Sequence, residues 1–249
     1  MTESLYAAAF GAQSPLGKPF YALGVTTPGM VSFRSKGYGL NSAVIAATGV
    51  QDHVAFAEAL EERLGDAVVG EKPSVPASPY VGGETRMNAP DSGVANVSIA
   101  FASPESNALS SVVKKCLALS GVGAFSGPGL VGISGSAVAG EGGALVDRMC
   151  AALTSAPSAD VMARAKALAK AEALFALEEG SVSLAKAMTS SVLETGDFGA
   201  QKIAASFDAV TDAQVSGAYA AMLKSKPSVA ALGDIYAVPY LATIESRFS

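Results

Sequence analysis

The residues of this chain able to do acid–base, nucleophilic or metal chemistry are few. There is one histidine, His53. A hydrolytic zinc site takes three protein ligands and a water, usually with two histidines among the ligands, so one histidine falls short of the usual set. A Ser-His-Asp triad needs a base that an acid orients, and Asp52 and Glu58 lie close to His53 in sequence. The setting of His53 argues for a simpler role, because it follows a capping position in the first turn of an amphipathic helix, where a solvated imidazole is ordinary. Cys116 and Cys150 have no metal-ligand spacing. They read as buried free thiols, which suits a reducing compartment. The expected site therefore holds no catalytic, cofactor-binding or metal-binding residue, no cofactor is expected, and the chain alone is not expected to be an enzyme.

Two other stretches carry chemistry-like signals. The glycine-rich run from Gly121 to Gly143 (GVGAFSGPGLVGISGSAVAGEGG) suggests a phosphate loop, but it has no GxxxxGK[ST] and no lysine among its glycines. A flexible loop with tight strand packing is the plain reading of it, and a mobile binding loop the sharper one. In GGETR, Glu84 and Arg86 flank Thr85, so on a strand they point the same way and can pair. As a surface pair this contributes little, and contact with a partner is the rival reading. Glu61-Glu62, Glu178-Glu179 and Lys114-Lys115 read as solvated faces.

Half of the 249 residues are hydrophobic, 16% are charged, and tryptophan is absent. Such a chain can bury a sizeable core, in one large or two modest domains. A net charge of −5 without a basic cluster argues against a nucleic-acid partner. The longest apolar runs, Ala43–Ala47 and Val97–Ala102, are far shorter than the ~20 residues that span a bilayer. The first ten residues, MTESLYAAAF, include Glu3 and no arginine, unlike a signal or transit peptide.

The elements that must position these residues follow from period and punctuation. Helices are expected at 3–10, with Leu5, Ala9 and Phe10 inward, and from Thr27, as N-cap with Pro28 behind it, to Tyr38. Asp52 should cap a helix over His53–Leu64, with Val54, Ala57, Leu60 and Leu64 on one face. NSAVIAATG (41–49) reads as a buried strand. Gly70–Pro79, with three prolines and two serines, reads as a linker. Strands are expected at Tyr80–Met87, on a sheet edge, at Val94–Ala102, half-buried by alternation, within GLVGISGSAV, and at Ser228–Gly233. Helices are expected from Pro104 to Leu119 and at Gly142–Leu153. The long proline-free stretch 158–196 should form two helices broken at Gly180, the first burying Leu168, Ala171 and Phe175. Gln201–Ala209, Asp212–Lys224 capped by Thr211, and Tyr240–Phe248 complete the list. Helices gathered after the early strands, with one late strand returning, imply an α+β fold of two layers, helices packed on one face of a mixed β-sheet.

Several of these stretches, in this order, resemble the mitochondrial processing peptidase family, which includes the two core subunits of respiratory complex III. They are ESLYAAAFGAQSPLGKPFY (3–21), AVIAATGVQDHVAFAEALEERL (43–64), YVGGETRM (80–87), VSIAF (97–101), GLVGISGS (129–136), ARAKALAKAEALFALEEGSVSLAKAM (163–188) and SVAALGDIYAVPYLATI (228–244). Each is weak alone. Together they cover nearly the whole chain, and they look most like the noncatalytic members, the second core subunit of complex III or the peptidase α-subunit.

The resemblance implies two related α+β domains, with zinc held in the first by a His-x-x-Glu-His motif that this chain does not contain. It implies that residues 1–70 are the tail of a first peptidase-like domain, 71–79 a linker, and 80–249 a shortened second domain. The expected function is that of a noncatalytic structural core subunit of a mitochondrial inner-membrane complex, most simply complex III. Its partners would be a related processing-peptidase-like subunit and other subunits of the complex, on the matrix side, peripheral to the membrane. The alternatives are the presequence-binding α-subunit of the peptidase, for which residues 121–129 would be the handling loop, or a family remnant recruited to another mitochondrial complex.

Overall fold

A computed structural model describes residues 1–248 apart from 22, 23, 68, 71–73, 75 and 105. Four positions of the expected linker between 70 and 79, namely 71–73 and 75, lie outside the described residues. The chain forms two compact units, Met1–Phe20 with Ala77–Ala171 and Ala205–Ser249, and Tyr21–Pro76 with Glu172–Ala204.

The first unit is built on a five-stranded mixed sheet. The strands are β1 (Gly83–Asn88), β2 (Val94–Ala102), β3 (Gly123–Gly127), β4 (Leu130–Val138) and β5 (Ser228–Gly233), in the order β1-β5-β2-β4-β3. β1 and β5 run parallel and the other pairs are antiparallel. The late strand β5 inserts between β1 and β2, so the end of the chain is locked into the sheet centre. β2 is paired on both sides, with Ile99 opposite Ile133 on one side and Val229 on the other. Its expected half-burial is exceeded, since Val97, Ser98, Ile99, Ala100 and Phe101 are all buried.

The two sheet faces are covered differently. Residues of one parity, Val97, Ile99 and Phe101, meet the helical layer: Gly135 sits against Leu145 of α5 (Gly142–Thr154), and Phe101 makes an edge contact with Phe248. α4 (Asn107–Leu119) packs on β3 and β4 and against α9 (Asp212–Lys224). On the opposite face Ala100, Leu130 and Ala230 pack against Leu5, Ala9 and Phe10 of α1 (Thr2–Phe10). This is the expected α+β architecture, with α1 in addition on the far side of the sheet.

Local chemistry sets the boundaries. Ser106 caps α4 by accepting from the Leu109 amide, so that helix starts later than Pro104. Thr211 and Gln214 form a reciprocal capping box on α9. β1 starts at Gly83 because the amides of Val81 and Gly82 donate instead to the Ala9 carbonyl of α1. The strand β3 lies inside the glycine-rich run and was not expected.

The second unit contains α2 (Thr27–Gly37), α3 (His53–Leu64), the end of α6 (Ala159–Glu178) and α7 (Ser181–Thr195). Here three expectations are corrected. Thr26, not Thr27, caps α2, accepting from Gly29 N at 3.3 Å. Residues 41–49 form no strand. Leu40–Ser42 make a 3-10 turn, the Asn41 amide donates to Val69 O at 3.0 Å, and Ile45 is 54% exposed. An apolar run becomes a strand only when another strand takes its N–H and C=O groups, and the described residues of this unit offer none. The expected apolar faces of α3 and of 168–175 are also not buried: α3 and α7 bury nothing, and Leu168 and Phe175 are 42% and 65% exposed. In α6 the buried stripe is Met162, Ala165 and Ala169, all in the first unit. No helix among the described residues is long and apolar enough to cross a membrane.

Candidate functional site

The residues singled out by sequence do not converge. His53 is exposed at the start of α3, and the Asp52 carboxylate is taken up in accepting from the Ala55 amide at 3.0 Å. Nothing holds the pair as acid and base. Cys116 and Cys150 are buried and unpaired in α4 and α5. Burial pushes the Cys116 thiol up to about 11 and raises that of Cys150 as well, which keeps both protonated and poor nucleophiles at neutral pH. Among the described residues no group of three or more His, Cys, Asp or Glu is placed to hold a metal ion.

Glu84 and Arg86 do come together, as part of a clasp. They project from β1 on the helical side of the sheet. Arg86 donates to Glu84 Oε1 at 2.8 Å and to the carbonyls of Ile235, Val238 and Pro239 at 3.0, 2.9 and 3.2 Å. Its guanidinium lies 4.4 Å from the centre of the Tyr240 ring. Glu84 Oε2 accepts from the Leu241 amide at 3.2 Å. Both side chains are more than four-fifths buried. The pair therefore fastens the turn after β5 to the sheet edge and is no loose surface bridge.

The residues before it share that structural role. The Tyr80 hydroxyl donates to Lys226 O at 2.7 Å, with Ala100 O also in reach at 3.1 Å, and accepts from Ser228 at 2.9 Å. Burial raises its pKa to about 12. Gly82 has φ +66°, and a Cβ there would meet the Lys226 carbonyl at 2.6 Å. YVGGETR is thus a set of backbone-reaching contacts that joins β1, β5 and the C-terminal turn.

The glycine-rich run is ordered hairpin. Gly129, at φ +72°, turns β3 into β4, and a side chain at Gly129 or Gly127 would strike Phe10 or the Tyr6 hydroxyl of α1. Glycine here lets the hairpin approach α1 closely. Between them lies a cavity of about 720 Å³, bordered by α1, the 3-10 turn at Pro15–Gly17, and the β3–β4 hairpin, with Ser98 and Ser134 in its lining. A second cavity of about 780 Å³ lies along Gly121–Gly123 and α5. Neither is lined by an aspartate or glutamate. Lys18 is the charged residue of the first and Arg148 of the second. No sequence signal marks the first cavity, because its walls come from three separated stretches.

No family model matches the sequence, and no curated protein matches it. The fold has a clear counterpart among solved structures. A chain of complex III2 from Candida albicans, solved with Inz-5 bound, superposes with a TM-score of 0.85, over 99% of this chain and 69% of that one, at 19% identity. The similarity spans both units, and at this identity it establishes a shared fold.

Proposed function

We propose that this chain is a noncatalytic structural core subunit of a mitochondrial respiratory complex, complex III being the host, and a distant member of the processing peptidase family. The observation that carries the reading is the likeness along 99% of the chain to a chain of complex III2, with the family-like stretches occurring in the same order along the sequence. On this reading residues 1–70 belong to a first peptidase-like domain, 71–79 link, and 80–249 are a shortened second one. The subunit sits on the matrix side, peripheral to the membrane, packed on a related processing-peptidase-like subunit. It does no hydrolysis and holds no cofactor. Its clasp and capping network stiffen a scaffold, which needs shape and not reactivity.

The presequence-binding reading is weaker. Presequences are basic, so a surface that cradles them should be acidic. Neither cavity flanking 121–143 has an acid in its lining, and each has a cation.

Native separation of detergent-solubilised mitochondrial membranes, with mass spectrometry locating this chain, tests the proposal. Comigration with cytochromes b and c1 is expected. Migration as a small soluble pair with a zinc-motif protein would sink it in favour of the peptidase.

A further inference from the structure

The turn after β5 presents one large side chain that the fold does not use. Ile235 and Val238 are 5% and 2% exposed and anchor the turn in the core. The Val238 amide closes it by donating to Ile235 O at 3.1 Å, and Arg86 holds the carbonyls of both residues. Gly142 of α5 presses close, since a Cβ there would meet Val238 at 2.6 Å. Between these fixed points Tyr236 is 98% exposed, more than any other large apolar side chain among the described residues. A tyrosine has two side-chain torsions, so on a pinned backbone its ring is covered at small entropic cost. Such a ring is preorganised to be buried by something else.

The surroundings state what that is. The Asp234 amide donates to Val94 O at 2.9 Å and the Ala139 amide to Gly93 O at 3.0 Å, so the turn, the start of β2 and the end of β4 meet at one end of the sheet. There Val94 and Val138 lie opposite each other, both open to solvent. Three carboxylates belong to the same end: Asp91 in the 3-10 turn Pro90–Ser92, Asp234 just past β5, and Glu141 just before α5. None of the three carboxylates has a hydrogen bond or an ion pair among the described residues. Residues 88–95, 136–146 and 232–243 contain no lysine or arginine, and Arg86, which reaches this turn, is already paired with Glu84. Among the described residues no three acids stand close enough to share a metal ion, so separate cations must meet them. An anionic lipid surface would be repelled, and a second copy docked through the same surface would set acid against acid.

We propose that this end of the sheet docks a partner protein that seats the Tyr236 ring in an apolar pocket and meets Asp91, Asp234 and Glu141 with lysine or arginine. Val94 and Val138 give the contact its apolar floor. The proposal rests on the scaffold reading for the existence of an assembly, and adds to it the surface and the chemistry of one partner.

The test replaces Tyr236 by benzoylphenylalanine in the full chain, irradiates the native assembly and maps adducts by mass spectrometry. An adduct to another polypeptide is expected, at a segment carrying lysine or arginine. Tyr236→Ala should weaken binding of that polypeptide about 30-fold. Asp91→Asn/Asp234→Asn/Glu141→Gln should slow its association about tenfold and flatten the dependence on salt. Unchanged melting temperatures in both variants keep loss of binding distinct from loss of fold. Absence of any adduct in an intact assembly overturns the proposal, as does an adduct to lipid, to a second copy of this chain or to an acidic segment. Binding indifferent to both variants overturns it too. A basic partner outside complex III would uphold this surface and sink the host, whereas comigration with cytochromes b and c1 without an adduct would do the reverse.

Discussion

Substituting Arg86 by methionine should loosen one end of the sheet, by an amount the geometry bounds. The side chain keeps its apolar stem but loses hydrogen bonds to Ile235, Val238 and Pro239 and its pairing with Glu84. An exposed ion pair contributes about 0–1 kcal/mol, and breaking a fully buried one costs about 3–5. Arg86 and Glu84 retain 18% and 16% side-chain exposure, so the deeper limit must be discounted for solvent screening. Three charge-assisted bonds to carbonyls pull the other way, each strong on its own but partly recovered by water. About 3 kcal/mol results, which is about a 100-fold rise in local opening. Native-state amide exchange reads this directly and works within an assembled complex. Exchange at 235–241 and at the β1 amides should accelerate about 100-fold, while the centre of β2 stays protected. Adding Glu84→Gln removes the stranded carboxylate and should return about 1 kcal/mol, a coupling that a double-mutant cycle isolates. If Arg86→Met changes exchange at 235–241 by less than threefold, the clasp is not what holds that turn. If β2 accelerates equally, the damage is global and the assignment of a local role fails.

Three further outcomes follow from the same structure. Cys116 and Cys150 should resist iodoacetamide at pH 8 in the folded protein and react at once in denaturant. Between pH 9 and about 11 the unfolded chain releases the Cys116 proton while the folded chain retains it, and between pH 10 and about 12 the same holds for Tyr80. Stability is therefore full below pH 9 and falls as pH rises through those windows, which urea midpoints at stepped pH would check. Gly132→Val should prevent folding, because a Cβ there lies 2.7 Å from Ala100 Cα and against the Ile99 carbonyl, whereas Gly217→Ala, on an open face of α9, should stabilise by about 0.5–1 kcal/mol. Soluble expression and thermal melts separate the two. Thr211→Ala, which removes the capping box of α9, should cost about 1 kcal/mol by the same melts.

What could be read from the sequence was local. Asp52 before HVAFAEALEERL marks the start of α3 because capping depends on one side chain and three amides. Glu84 and Arg86 were legible as a same-side pair, for alternation along a strand is a property of the strand alone. That Arg86 reaches carbonyls about 150 residues away was not, since no local pattern encodes it. β3 escaped because GAFSG is short, lies on an edge, and has glycines where alternation would show. Residues 41–49 misled for the converse reason, as their composition suits a strand but pairing is decided elsewhere. The cavity was invisible on the same grounds: Ser98 and Ser134 look like ordinary alternation in two separate strands until register sets them opposite each other.

The contrast between the two units bears most directly on the scaffold reading. The first has a continuous core, with Val97, Ile99, Phe101, Val112, Leu117, Leu130 and Ile133 fully covered. In the second, the one buried position among the described residues is Gly39, while Met30, Val31, Phe33, Tyr38, Ile45 and Val54 all lie more than half exposed. α2, α3 and α7 bury no residue at all. A soluble monomer commonly shows scattered apolar residues, but helices without any buried side chain have no hydrophobic term to offset the entropy of ordering them. Helices of this kind are stable when a neighbouring surface covers them. An obligate subunit of a large complex supplies that condition, since such interfaces resemble a domain core cut in half. A free presequence receptor would instead need its own core and an acidic lining. The exposed apolar side chains of the second unit, more than any motif, are why the chain reads as a part built to be packed against.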